Sequence, residues 1–204
     1  RALGQGEEAR QMYLKALAIR ERLAQAEPDR ADYQRDLSVS YIKMGDLFRD
    51  LGQGEEARQM YLKALAIAER LAQAEPDRAD YQRDVSVSYN NMGDLLSALG
   101  QGEEARQMYL KALAIRERLA QAEPDRADYQ VDLVNALFRR ASVEGENGGR
   151  QYLARALSIL ETLKAEGRLA PADEPKIAAL QRMLGIGAPP GNRQDGGISG
   201  ETAS

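Results

Sequence analysis

Asp46 and Asp94 come nearest to a catalytic pair in this chain, since they lie 48 residues apart at equivalent places of a repeated segment. Two carboxylates perform general acid–base chemistry when their environments separate their pKa values. The chain of 204 residues has no histidine and no cysteine, so the commonest general base and the thiolate nucleophile are absent. A calcium site usually has about six or more oxygen ligands, which two aspartates alone do not supply. We therefore predict no enzyme, no metal site and no cofactor.

Amide, basic and apolar side chains near these aspartates favour protein binding instead. Asn90 and Asn91 are poor helix formers, and their amides both donate and accept hydrogen bonds, as the backbone of a bound peptide requires. Lys43 and Arg139 carry charges that suit acidic groups. Apolar anchors for a peptide or a helix are Val39, Ile42, Val87 and Phe138. The alternative is an ordinary solvated helix face, with Phe138 in the core.

These residues belong to a segment that is written almost three times. The run Leu-Gly-Gln-Gly-Glu-Glu-Ala-Arg-Gln-Met-Tyr opens at Leu3, Leu51 and Leu99, so the period is 48 residues. Such a period predicts a stacked array of one repeating unit. Residues 3–50 and 51–98 differ only at Arg20/Ala68, Leu37/Val85, Ile42/Asn90, Lys43/Asn91, Phe48/Leu96, Arg49/Ser97 and Asp50/Ala98. A ligand-binding surface and the drift of a recent duplication explain these differences equally well.

Apolar residues three or four apart predict two helices in each repeat. Helix A, the first of each pair, is expected at residues 30–50, 78–98 and 126–145. Asp29 is expected to cap helix A, and Gly52 to end it in the left-handed conformation. Helix B is expected at residues 54–74 in the first repeat, before Pro76. In the third repeat it is expected at 150–166, after a turn over residues 144–149.

Glycine in the middle of helix A predicts a close contact between helices. Gly45 and Gly93 occupy helical positions where glycine costs about 0.5–1 kcal/mol relative to alanine. We expect helix B to approach these glycines through Ala57 and Ala105. A larger side chain at Gly93 should then destabilise the array by overpacking.

We expect one repeat array followed by a tail. The array spans residues 1–185, and residues 186–204, rich in glycine and proline, are predicted to be disordered. Within the array we expect a lone helix B at 1–28, repeats at 29–76, 77–124 and 125–166, and a capping helix at 172–185.

Small and large residues recur in a fixed order in the repeats. They are Tyr41, Met44, Gly45, Phe48, Ala57, Tyr61 and Ala64 in the first repeat, and Tyr89, Met92, Gly93, Leu96, Ala105, Tyr109 and Ala112 in the second. In the third repeat the pattern decays to Leu137, Arg140, Ala141 and Glu144 and, after a deletion of four residues, Gly149, Leu153 and Ala156. In this order the unit resembles a lengthened tetratricopeptide repeat, whose usual length is roughly 34 residues. The resemblance implies an all-α fold, a right-handed α-solenoid of antiparallel helix pairs whose helices A line a concave groove for protein ligands.

On this resemblance we predict a partner-binding groove, formed by Val39, Ile42, Lys43, Asp46, Arg49, Val87, Asn90, Asn91, Asp94, Asn135, Phe138 and Arg139. The carboxylate-clamp members of the family use lysine, asparagine and arginine at set places on successive helices A. Only Asn91 and Arg139 fit that pattern, and Asp46 and Asp94 would repel a carboxylate. We therefore do not predict binding of a chaperone tail.

Charge and hydropathy limit the kinds of partner. The 28 basic and 32 acidic residues interleave along the chain, with a net charge of -4, so no basic stripe suits nucleic acid. No run of about 18 apolar residues suits a membrane. We expect a cytoplasmic protein whose partner is a protein or a peptide.

The chain begins in mid-repeat, and its lone helix B has no preceding repeat to cover Tyr13, Ala16, Leu17 and Leu23. We therefore also expect homo-oligomers, formed by end-to-end stacking or domain exchange. The principal hypothesis is a protein–protein interaction scaffold. The alternative is a sensor or oligomerisation arm of a larger bacterial multi-domain signalling protein, because the lengthened repeats resemble those of such proteins.

Overall fold

Helices account for most of the described chain. The computed structural model describes the backbone of residues 2–186 and the side chains of residues 11–145 and 148–186. Within residues 2–186 there is no strand. The helices are α1 (Ala2–Ala26), α2 (Ala31–Asp50), α3 (Gly54–Ala74), α4 (Ala79–Ala98), α5 (Gly102–Ala122), α6 (Ala127–Ser142), α7 (Gly145–Ala165) and α8 (Glu174–Leu184). A 3₁₀ turn at Pro171–Asp173 precedes α8.

Arginine, rather than the predicted aspartate, occupies the position before each helix A. Arg30 has extended backbone angles and precedes α2 directly, so Asp29 lies too early to cap this helix. The guanidinium of Arg30 instead holds Asp32 of the first turn, with Nη2 2.6 Å from Oδ2. It also lies over the ring of Tyr33, 4.2 Å from the centroid. The same trio recurs in the other two repeats, at residues 78–81 and 126–129.

Glycine ends helices α2 and α4, as the sequence predicts. Gly52 and Gly100 both have φ of +74°, a left-handed conformation that glycine adopts without steric cost. In the third repeat Gly145 takes this role, with φ of +69°. The predicted turn over residues 144–149 is therefore wrong, since α7 begins at Gly145. Gly149 lies inside α7, where a Cβ would stand 2.8 Å from the carbonyl oxygen of Ala141.

Successive helices are antiparallel neighbours. Residues 51–53 alone join α2 to α3, and residues 75–78 join α3 to α4. Ser38, early in α2, donates a hydrogen bond to the carbonyl of Ala64 at 3.1 Å, whereas Gly45, later in α2, lies against Tyr61, earlier in α3. Each helix packs on the helix before it and the helix after it in the chain. The structure thus confirms the all-α solenoid of helix pairs.

A tyrosine ring, not an alanine, contacts each mid-helix glycine. A Cβ added to Gly45 would stand 2.5 Å from Cε1 of Tyr61, and one added to Gly93 would stand 2.6 Å from Cε1 of Tyr109. Ala57 and Ala105 are fully buried nearby, but they are not the contacting atoms. The expected close approach is present, and its cause is the tyrosine ring that lies against the glycine.

The last helix covers the end of the third pair. Leu180 and Leu184 of α8 are buried in one cluster with Leu157 and Leu160 of α7. Gly185 ends α8 in the left-handed conformation, with φ of +69°. The role of residues 172–185 as a cap of the array stays a prediction. The predicted disordered tail falls, from residue 187 onward, outside the described residues.

Candidate protein-binding face on helices α2, α4 and α6

Ion pairs join the three A helices into one continuous surface, which we call the A face. Arg35 of α2 reaches α4, with Nε 2.5 Å from Asp84 and Nη1 3.1 Å from Asp80. The equivalent Arg83 of α4 reaches α6, with Nε 2.6 Å from Asp132. Exposed pairs of this kind contribute little stability one by one, and here they link α2 to α4 and α4 to α6.

Asp46 and Asp94 each accept a hydrogen bond from a buried tyrosine of the next helix. Asp46 accepts a hydrogen bond of 2.7 Å from the hydroxyl of Tyr61, and Asp94 accepts one of 2.8 Å from the hydroxyl of Tyr109. Burial, and then the hydrogen bond to the carboxylate, raises the pKa of both tyrosines well above the ordinary value. Each aspartate therefore holds the buried ring that lies against the glycine of its own repeat.

Three further residues of the predicted groove are engaged inside the protein. Nε of Arg139 lies 3.1 Å from Asp94, so this guanidinium joins α6 to α4. Arg49 lies 3.4 Å from Asp46 and 3.3 Å from Asp50. Oδ1 of Asn135 accepts a hydrogen bond of 3.1 Å from Nζ of Lys176 in α8. A ligand that used these groups would first have to displace an internal partner.

Apolar and amide groups of the predicted set remain accessible on the A face. Val39 is 40% exposed and Phe138 is 45% exposed, so Phe138 does not belong to the core. Lys43 is exposed, and Val87 and Asn91 are half-buried. Ile42 is half-buried as well, and it packs against two core clusters.

Asn90 carries the clearest unused hydrogen-bonding group on this face. Its Oδ1 is buried, yet it accepts no hydrogen bond from any described residue. An acceptor that lacks a donor in a buried place costs about 1–3 kcal/mol. Because this oxygen has almost no surface open to solvent, a peptide N–H could reach it only after the Asn90 side chain turns outward. The first repeat has Ile42 at the equivalent place, so the acceptor is specific to the second repeat.

A signal for the hidden role of the aspartates exists within the sequence. An aspartate precedes a tyrosine by 15 residues in both intact repeats, as Asp46 with Tyr61 and Asp94 with Tyr109. In the third repeat both members change together, to Ser142 and Leu153. Loss of both partners at once is what a contact between them predicts.

Two clefts are lined by residues other than those of the predicted groove. One of about 540 Å³ lies between α6, α7 and α8 and is lined by Ser142, Arg150 and Met183. Another of about 290 Å³ lies between α1 and α2 and is lined by Ile19, Leu23 and Tyr33. Among the described residues, no group of three or more acidic side chains converges as a metal ion would require.

Comparison with known families agrees with this architecture. A family model of the tetratricopeptide repeat matches residues 36–118, and a second model of the same repeat matches residues 1–29. The chain belongs to the tetratricopeptide repeat family. Such repeats generally mediate contacts between proteins. None of the described helices of this tetratricopeptide array is both long and apolar enough to cross a membrane.

Solved structures with some likeness to this tetratricopeptide array include BtubC (BKLC) from P. vanneervenii. The two sequences are 19% identical. The aligned region covers 88% of this chain and 84% of BtubC, and the TM-score is 0.46. A Podosopora anserina protein described as a kinesin light chain with nearly identical TPR-like repeats is 22% identical, covers 90% and 77%, and has a TM-score of 0.46. No functional conclusion rests on likenesses this weak. The search of curated proteins finds no match.

Proposed function

We propose that the chain is a protein-interaction scaffold that binds a peptide or a helix on the A face. The observation that carries this proposal is the contrast between paired charges and unpaired apolar or amide groups on one surface. Asp46, Asp94 and Arg139 are engaged internally, whereas Val39 and Phe138 are exposed and Asn90 Oδ1 has no donor among the described residues.

This contrast gives the expected ligand its chemistry. Two exposed apolar side chains favour a ligand with apolar anchors, each of which contributes about 1.5–3 kcal/mol when it is fully buried. Once its side chain turns outward from its enclosed position, the Asn90 amide can accept from a free backbone N–H, which an extended peptide offers along its length.

The test is a selection of peptides from a random library displayed on phage, with the whole chain as bait. The selected peptides are then measured against a variant with Val39→Ser and Phe138→Ser. We expect affinity to fall by roughly tenfold or more, because loss of two apolar contacts removes at least about 1.4 kcal/mol.

A matched control carries Leu62→Ser and Leu110→Ser, which change two equally exposed leucines on α3 and α5. This control should bind as the unchanged chain does. Equal affinity for both variants, or an equal loss in both, would contradict binding on the A face. A further variant, Asn90→Ile, copies the first repeat and should weaken an extended peptide without unfolding the chain.

A second candidate function is self-assembly, as the oligomerisation arm of a larger signalling protein. The observation that favours it is the apolar surface of α1, where Met12 is 73% exposed. Light scattering over a range of protein concentrations tests it. A mass that stays at that of one chain at high concentration would count against self-assembly.

A further inference from the structure

The first two helix pairs share a contact between an arginine of helix B and a glutamine of helix A. Nη2 of Arg70 on α3 donates to Oε1 of Gln34 on α2 at 2.5 Å. Nη2 of Arg118 on α5 donates to Oε1 of Gln82 on α4 at 2.8 Å. In both pairs a guanidinium therefore lies against the amide oxygen of the glutamine.

The third pair keeps the glutamine and lacks the arginine. Gln130 of α6 corresponds to Gln82 of α4. Thr162 of α7 stands where α5 has Arg118, once the deletion of four residues is taken into account. The hydroxyl of Thr162 donates to the carbonyl of Ser158 at 2.9 Å, so it does not replace the guanidinium as a donor to the glutamine.

Backbone carbonyls orient this glutamine as they orient its equivalent in the second pair. Nε2 of Gln82 donates to the carbonyl of Pro76 at 3.3 Å, and Nε2 of Gln130 donates to that of Pro124 at 3.4 Å. Nε2 of Gln130 also donates to the carbonyl of Ala120 at 3.1 Å. Oε1 of Gln130, to which no described residue donates a hydrogen bond, is thus held as an acceptor where the other pairs bind a guanidinium.

A cleft of about 360 Å³ opens beside this acceptor. It is lined in part by Asp125, Gln130, Thr162, Glu166 and Arg168. A cleft that Gln82 and Arg118 line in the second pair has only about 210 Å³. The third pair therefore has more open volume next to its glutamine, and this volume lies within the usual range of ligand pockets, about 300–1,000 Å³.

Two carboxylates make the cleft suitable for a cation. Glu166 stands where the second pair has Ala122, and Asp125 forms no ion pair with any described residue. Arg168, which also lines the cleft, has Nη1 2.5 Å from Glu166 and donates from Nη2 to the carbonyl of Pro124 at 3.0 Å. Since Arg168 is held by these two contacts, the charge of Asp125 remains unmatched.

We propose that the cleft beside Gln130 binds a guanidinium group, as carried by an arginine side chain. Oε1 of Gln130 accepts from this group as Oε1 of Gln82 accepts from Arg118, and Asp125 supplies the opposite charge. A guanidinium offers five donors in a fixed planar fork, so it can serve an amide oxygen and a carboxylate together. The cleft contains no residue of the predicted groove, so this site is independent of the A face.

The test is a titration of the whole ¹⁵N-labelled chain with N-acetyl-arginine methylamide, followed by NMR. We expect saturable shifts of the side-chain amide of Gln130 and of the backbone amide of Thr162. The corresponding lysine compound should bind at least about fivefold more weakly, because an ammonium lacks the planar fork.

Variants of the chain locate the binding site. Thr162→Arg gives the third pair the arginine of the other two, so the chain's own guanidinium should occupy Gln130 and abolish binding. Arginine fits at the equivalent places of α3 and α5, so this variant should fold, which circular dichroism verifies. The matched control, Ala154→Arg, adds the same charge at an exposed place of α7 outside the cleft and should bind as before. Asp125→Asn should weaken binding by about two- to fivefold.

Four results would overturn the proposal. They are the absence of a saturable shift at Gln130 in the unchanged chain, equal affinity for the lysine compound, undiminished binding to the Thr162→Arg chain, and binding that appears only in an Arg168→Gln chain. The last result would mean that Arg168 fills the cleft itself.

Free L-arginine distinguishes the two sources of the guanidinium. Tighter binding of the blocked residue would indicate an arginine side chain of a protein, and tighter binding of the free amino acid would indicate a small molecule. Both outcomes support a guanidinium site beside Gln130.

Discussion

Helices α1 and α3 have nearly the same sequence but lie in different environments. From Leu3 to Ala26 and from Leu51 to Ala74 they differ at a single position, Arg20 against Ala68. Both are continuous helices, yet Tyr61 is enclosed and Tyr13 is open. Local sequence therefore determines the helix, whereas the preceding neighbour determines which of its side chains belong to the core.

The difference between α1 and α3 lies mainly on one side. Toward the next repeat both make one contact in common, because Glu21 accepts from Tyr41 at 2.8 Å and Glu69 accepts from Tyr89 at 2.5 Å. On that side they differ in the hydrogen bond from Arg20 to Ser40, which Ala68 cannot make, and the larger difference is on the side that faces the preceding helix A. Paired substitutions at equivalent places can therefore separate the contribution of the neighbour from that of the sequence.

Replacement of the two equivalent tyrosines by alanine should give the largest contrast. Tyr61→Ala removes a fully buried ring and should cost about 3–5 kcal/mol, as for other buried aromatic rings. Tyr13→Ala removes an exposed ring and should cost less than about 0.5 kcal/mol. Urea unfolding followed by circular dichroism measures both free energies. Similar losses in the two variants would show that α1 is covered in solution.

The glycine of the covering helix gives the next largest effect. Gly93→Ala places a Cβ 2.6 Å from the ring of Tyr109 and should cost about 1–3 kcal/mol, despite the better helix propensity of alanine. Gly102→Ala, in the first turn of α5, meets no atom within 4 Å and serves as the control. We expect the control to be neutral or slightly stabilising. A stabilised Gly93→Ala variant would mean that the tyrosine moves aside freely.

The sequence predicts the helices well where local signals decide, and poorly where contacts between helices decide. The bounds of α3 follow from Gly52 and Pro76, which end the neighbouring segments for reasons of backbone conformation alone. The predicted start of α7 is wrong. Residues 144–149 contain three glycines, which favour a turn, and the sequence does not reveal that Gly149 packs closely against Ala141 within a helix.

The candidate site divides in the same way. Its position on helices A, which the differences between copies suggest, stays a prediction, and Val39 and Phe138 are exposed there. The internal partners of Asp94 and Asn135 lie 15 and 41 residues away, on other helices. Hydropathy periodicity along one helix contains no information about such partners, so it does not predict that these two side chains are engaged inside the protein.

The single difference between α1 and α3 has a consequence of its own. Nη1 of Arg20 donates to Oγ of Ser40 at 2.6 Å, but Ala68 leaves the equivalent Ser88 Oγ buried without a partner among the described residues. Ser88→Ala should therefore stabilise the chain by about 1 kcal/mol, whereas Ser40→Ala should destabilise it by a similar amount. Thermal unfolding of both variants tests this. Two changes of the same sign would contradict the assignment.

Helices α1 and α3 both accept a tyrosine hydrogen bond through a glutamate, and this bond should contribute equally to stability at the two places. Its contribution should be smaller than those above and should depend on pH. Burial, and then the hydrogen bond to the glutamate, raises the pKa of Tyr41 and of Tyr89 to about 12. An unfolded tyrosine loses its proton near pH 10, so the stabilisation is complete below that value. It should decline as the pH rises from about 10 to about 12, because the unfolded chain then releases protons that the folded chain keeps.

Tyr41→Phe and Tyr89→Phe isolate this contribution. Each should cost about 0.5–1 kcal/mol at neutral pH through the lost hydrogen bond. Each should also reduce, by the same amount, the slope of stability against pH between about 10 and 12. Urea unfolding at a series of pH values measures the slopes. If Tyr41→Phe changes the slope much less than Tyr89→Phe, α1 is held more loosely than α3 even on the side where their contacts match. The difference between the two helices would then extend beyond the exposed side of α1.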